Sequence, residues 1–299
     1  MSDSLTTVVP IVLFFVLGVG LGRAGFASKR DGEFLLRFIF FVALPALVLV
    51  SVSGADLPAE KALLPISAAL VAAAGLAIAW VYGSRRGLPP HRLGAVALSA
   101  MTLNNAFCIP FILAGYGEDG LTDLVLFDIG NAFIVALVAF PLAFRFGGHD
   151  AHFRAGVRRA LTSPLTWALP AALIVNVTGN RLPRLLHGFF APLGSLIGPL
   201  ILIALGILFK PSRRDLGLVT TTVVFRMVVG LAAGAVLTAM FGFTGDTRLV
   251  VLIGAASPIG FTALTFASLA SLDTDLSARA VSASLLIGII AVPLAVALT

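Results

Sequence analysis

Two apolar segments of membrane length are each broken near the middle, and the two breaks lie about half a chain apart. Leu93–Tyr116 is interrupted by Asn104-Asn105-Ala106-Phe107-Cys108-Ile109-Pro110, and Leu249–Leu272 by Ser257-Pro258-Ile259-Gly260. A proline inside a helix removes one backbone hydrogen bond and clashes with the preceding turn. Lipid cannot satisfy the freed groups, so such backbone survives at membrane depth only inside protein or beside a water-filled cavity. Broken segments at corresponding places in two halves of a chain point to a transporter site near the bilayer midplane.

The rest of the chain fits a bilayer. Of 299 residues 59% are hydrophobic and 11% charged, with a mean hydropathy of +1.07, far from the composition of a soluble core. A hydrocarbon core of roughly 30 Å takes about 20 apolar residues as a helix. Ten stretches qualify: 6–22, 34–53, 62–82, 92–116, 121–145, 164–179, 188–209, 216–240, 247–272 and 276–298. The expected fold is therefore an all-α integral membrane protein with ten transmembrane helices. The first run lacks a basic leader and a cleavage site and reads as a retained helix. Gly18-x-Gly20-x-Gly22 inside it reads as a site of close helix packing.

Composition also excludes several classes. The net charge of +6 is spread over short basic clusters between apolar runs, the pattern of topology signals, so the expected partner is the lipid bilayer and no nucleic acid. One cysteine, Cys108, excludes an internal disulfide and a Cys-based zinc site. His91, His149, His152 and His187 fall in or near loops, and no metal is expected. There is no G-x-S-x-G, no H-E-x-x-H and no Walker loop. The reading is a carrier and not an enzyme, with no cofactor beyond a coupling H+ or Na+.

Lys and Arg set the orientation. The loops after odd-numbered segments hold 15 of the 20, from Arg23 to Arg279, and the opposite loops hold Lys61, Arg181, Arg184 and Arg248. The remaining one, Arg226, lies within the eighth segment. This bias puts both termini outside the cytoplasmic (inner) membrane. Ten segments then divide into 1–146, a cytoplasmic linker at 147–163, and 164–299, and five per half forces the second half to be inverted. Prolines follow the same register: Pro10 and Pro164 open segments, Pro45 pairs with Pro192, Pro110 with Pro258 and Pro141 with Pro293. An acidic turn follows each break, Glu118-Asp119 and then Asp273 with Asp275.

At such a break the half-helix beyond presents free N–H groups and a positive dipole end. Two inverted broken helices crossing would aim both ends at one point, which suits an anion. Asn104 and Asn105 are the candidate side-chain ligands at the first break, with Ser257 and Thr262 at the second. Pro110, Pro258 and Gly260 supply the crossover backbone. Asp128, with Asn131 at i+3 on the same face, lies within the fifth segment and is the candidate for coupling, either as a proton carrier or as a sodium ligand. Arg226, near the midplane, is a candidate for a substrate carboxylate, for Asp128, or for snorkelling to the cytoplasmic face. Trp80 and Tyr82 read as interfacial anchors, and Asn176 as a helix-end polar group.

These stretches resemble the auxin efflux carrier family, and within it the malonate-transporter-like bacterial branch. The resemblance rests on Asn104-Asn105-Ala106-Phe107-Cys108-Ile109-Pro110, on Leu126-Phe127-Asp128-Ile129-Gly130-Asn131, on Ala256-Ser257-Pro258-Ile259-Gly260-Phe261-Thr262, on Ser163-Pro164, and on Pro199-Leu200 through Leu205-Gly206. It implies a scaffold of segments 1, 2, 6 and 7 and a core of 3–5 and 8–10 that moves elevator-fashion. A homodimer through the scaffold is a further expectation. The chain departs from the family pattern by lacking a Gly before Ile109-Pro110, by Ile259 in place of a second Pro, and by Thr262 in place of the plant Asn. The substrate is therefore read from the site: a small organic anion, a mono- or dicarboxylate. The alternatives are a sodium-coupled carrier of the bile-acid symporter type and an ion channel.

Overall fold

The computed structural model describes residues 2–55, 57, 59–148, 164–178, 182–212 and 214–298. Most of the expected linker lies outside the described residues. The elements are α1 (Ser2–Arg23), α2 (Lys29–Phe38), a π-helical turn (Ile39–Ala43), α3 (Leu44–Ser53), a 3-10 turn (Ala59–Ala62), α4 (Leu63–Arg85), α5 (Pro90–Met101), α6 (Asn105–Ile134), a second π-helical turn (Val135–Ala139), α7 (Phe140–Phe146), α8 (Pro164–Val177), α9 (Arg184–Ser195), α10 (Ile197–Ile207), α11 (Leu216–Phe241), α12 (Gly245–Ala255), α13 (Phe261–Leu269) and α14 (Thr274–Ala297). Among the described residues there is no strand, and one isolated antiparallel bridge joins Leu103 to Ile259. This is the architecture lipid demands, because helices satisfy their own backbone groups.

Among the described residues six helical stretches are long and apolar enough to cross a membrane: Lys29–Ser53, Glu60–Arg85, Asn105–Phe146, Arg184–Ile207, Leu216–Phe241 and Thr274–Ala297. Val9–Arg23 and Trp167–Val177 are shorter apolar helical stretches among the described residues. The expected fourth and ninth segments are each split in two. The second half of the fourth is joined to the fifth in Asn105–Phe146. Those 42 residues would span roughly 63 Å as one straight helix, about twice a hydrocarbon core. The chain turns instead at Gly117, whose φ of 63° and ψ of −158° belong to a region essentially reserved for glycine. Pro10, expected to open the first helix, lies inside α1.

The helices pack as two groups. In one, α1 lies along α10, α3 packs on α8 and α9, and α2 packs on α10. In the other, α4 packs on α5, α6 and α11, and α12 packs on α6 and α11, while α14 touches α5, α11 and α13. Two glycines of the α1 motif face α10: a Cβ at Gly18 would strike the backbone of Ile203 and one at Gly22 would crowd that of Ile207, while Gly20 faces open space. Asn176 of α8 donates to the carbonyls of Val52 (3.1 Å) and Ala55 (2.7 Å), satisfying the end of α3.

Two polar clusters tie the ends of the second group. At one end Lys61 pairs with Asp123 at 2.8 Å, and Thr247 donates to the same carboxylate. At the other, Asp215 takes Arg92 at 3.1 Å and Arg279 at 3.0 Å, and Arg92 also holds Asp273 at 3.1 Å.

Candidate substrate site

The two breaks meet. Extended residues Thr102–Asn104 run antiparallel to Pro258–Gly260, with the Asn104 N–H donating to the Pro258 carbonyl and the Gly260 N–H to the Thr102 carbonyl, both at 3.0 Å. The middle residue of each break is served by a neighbouring helix. The Leu103 N–H donates to Oδ1 of Asn131 (3.2 Å), and Nδ2 of Asn131 donates to the Leu103 carbonyl (3.4 Å). The Ile259 N–H donates to Oγ of Ser284 (3.0 Å), and its carbonyl accepts from Nδ2 of Asn104 at 3.5 Å. Buried backbone groups without water must find such partners. Gly260 is required by proximity: a Cβ there would lie 2.8 Å from the Leu103 carbonyl oxygen.

Each break starts a half-helix. Asn104 caps α6, its Oδ1 accepting from the Phe107 N–H at 3.3 Å. Gly260 caps α13 with no side-chain partner for the first turn. The first N–H groups of a helix have no acceptor within it. Both N-termini border a cavity of about 630 Å³ between the two helix groups. Asn104, Asn105, Asp128, Asn131 and Thr262 are its polar side chains, and the remaining lining is apolar, including Phe40, Phe133, Phe140, Phe261 and Phe266. Both π-helical turns contribute lining residues, Phe40 and Phe41 from the first and Val135, Ala136 and Leu137 from the second. Single π turns within α-helices recur at functional sites.

Asp128 is half-buried at the cavity wall. Its Oδ1 accepts from Nδ2 of Asn105 (2.9 Å) and from Nδ2 of Asn131 (2.8 Å). Oδ1 of Asn105 is buried without a partner in the protein.

Three expectations are corrected by this geometry. Arg226 does not line the cavity and does not meet Asp128. It is fully buried, with Nε donating to the Ser257 carbonyl at 3.1 Å and a terminal nitrogen to the Ala255 carbonyl. The open end of α12 needs donors there, and a planar guanidinium supplies several at once. Pro110 lies inside α6 and not in the extended backbone, because the chain breaks earlier, where Asn104 caps the helix. Ser257 and Pro258 belong to the crossing without reaching the cavity: Oγ of Ser257 accepts from the Asn104 N–H at 3.3 Å, and the ring of Pro258 packs against Gly288. Sequence reasoning missed Ser284, whose hydroxyl closes the second break. A serine in an apolar segment gives no signal of this role.

A membrane protein whose broken helices cross beside a cavity belongs to the class of transporters. The chain is a member of the membrane transport protein family, whose model matches residues 3–296; this is the auxin efflux carrier family suggested by its motifs. It is 26% identical over 299 residues to an uncharacterized transporter of Methanothermobacter thermautotrophicus, with 97% of each chain covered. It is 25% identical over 285 residues to an uncharacterized transporter of Methanocaldococcus jannaschii, with 92% of each covered.

Proposed function

We propose that the protein is a secondary carrier that moves a small organic anion, a mono- or dicarboxylate, across the cytoplasmic membrane. The observation that carries this reading is the convergence of two half-helix starts, at Asn105 and Phe261, on one cavity, the second of them without a side-chain cap. Each helix start is worth roughly half a positive charge, so an anion is favoured there without a basic side chain. Asn104, Asn105 and Thr262 are the side-chain partners, and Asp128 is the coupling group. The apolar wall suits one carboxylate on an apolar body better than two.

An inverted five-plus-five repeat supports alternating access. A Cβ at Gly75 would strike the Ala100 carbonyl, and one at Gly230 the Ala255 carbonyl, and both pairs are related by the same shift of 155 residues. The two end clusters correspond similarly. The Lys61–Asp123 pair answers the Asp215–Arg279 pair, at shifts of 154 and 156 residues. On this reading the first helix group is the scaffold and the second moves against it as one body, with both termini outside.

The direct test is a thermal-shift screen of acetate, benzoate, malonate and succinate in detergent, with and without sodium. A ligand that binds the native state raises the midpoint by mass action. A rise with at least one carboxylate, independent of sodium, is the expected result. A rise that requires sodium would favour the bile-acid symporter type of carrier, and no rise with any carboxylate would remove the anion from the reading.

A further inference from the structure

We infer that the carboxylate is loaded together with one proton, held on Asp128. The inference rests on the anion reading above and adds its coupling. Among the described residues that line the cavity, Asp128 is the sole ionisable one; α2, α3, α8, α10 and α13 contribute no charged side chain to the lining. The other ionisable groups around it are accounted for. Arg226 of α11 does not line the cavity: it donates to the carbonyls of Ala255 and Ser257, and its second terminal nitrogen is buried without a partner among the described residues. Asp123, on the same helix as Asp128, forms an ion pair with Lys61 of the 3-10 turn. Cys108 of α6 is fully buried and does not line the cavity. The two helix starts supply together about one positive charge. An arriving carboxylate beside Asp128 places two like charges in one cavity, and two carboxylates that share a site do not both stay ionised.

The hydrogen bonds fix where the proton goes. Oδ1 of Asp128 already accepts from Asn105 and Asn131, so it is the unprotonated oxygen. Oδ2 takes no part in those bonds and carries the proton. The Oδ2–H then donates to the arriving carboxylate. On the opposite side of the membrane the substrate leaves, Oδ2 releases its proton to water, and the carrier returns with the carboxylate of Asp128 held by its two amides. No bond other than O–H forms or breaks.

The test uses the purified full-length protein in weakly buffered detergent at pH 7 with a pH indicator, mixed with acetate, benzoate or succinate. The expected result is uptake of one proton per protein bound, and an affinity that falls about tenfold per pH unit on the alkaline side, the slope for one linked proton. Whatever carboxylate binding Asp128→Asn retains should come without proton uptake and with a flat pH profile. Binding without proton uptake by the wild type, or uptake unchanged in Asp128→Asn, overturns the coupling and leaves the carrier reading standing. Binding of none of the three carboxylates by either protein overturns both. If the variant does not fold, the wild-type proton count decides the matter alone.

Discussion

Replacing Asn104 and Asn105 together by alanine is expected to reduce carboxylate uptake into proteoliposomes by roughly a hundredfold or more while the protein still folds. Asn104 holds the Phe107 N–H and the Ile259 carbonyl, and loss of a helix cap costs about 1 kcal/mol. The backbone pairing of Thr102 with Gly260 and of Asn104 with Pro258 uses no asparagine side chain and remains. Function should suffer far more than stability. Without Asn105, Oδ1 of Asp128 keeps one donor of two, and the cavity loses two of its five polar side chains. Each buried polar partner lost costs about 1–3 kcal/mol, which over two residues amounts to that fall in rate. The measurement is initial uptake rate beside melting temperature. Undiminished uptake would take the crossing out of the mechanism.

Arg226→Met should have the opposite signature. The carbonyls of Ala255 and Ser257 would each lose a donor in a site closed to water, at about 1–3 kcal/mol apiece. The net loss is expected to be about 2–4 kcal/mol, since methionine also removes a charge whose burial is itself costly. Arg226→Lys should recover only part of this, because one ammonium does not reproduce the planar fork. Thermal midpoints in detergent should fall in both variants, with the KM of the surviving protein little changed. Wild-type stability with a sharply raised KM would instead make Arg226 a substrate ligand.

The contrast between these two sites shows what the sequence could reveal. Asparagines, an aspartate and prolines stand out in apolar runs, so the breaks and the polar face of the cavity were legible. The exact point of the first break was not. Pro110 drew attention because prolines break helices, yet the extended backbone is Thr102-Leu103-Asn104, two unremarkable residues and a cap. Arg226 was legible as a buried charge but not by its partners, which are carbonyls and leave no trace in composition. The phenylalanines of the cavity wall were invisible for a different reason. In a membrane helix the faces toward lipid and toward a pocket are both apolar, so Phe40 at the cavity and the exposed Phe34 read alike. Ser284, and the bonds of Asn131 to Leu103, required the fold itself, since each serves a break that is distant in the chain.

Counterflow tests the central claim most directly. Proteoliposomes preloaded with a carboxylate that stabilises the protein are diluted into a trace of the same labelled compound. A carrier that alternates one cavity between two sides exchanges label inward against unlabelled efflux. The account predicts transient accumulation above equilibrium, saturating with substrate and absent in the Asn104→Ala, Asn105→Ala protein. Flux that rises without saturation, carried by single-channel currents and showing no overshoot, would contradict it.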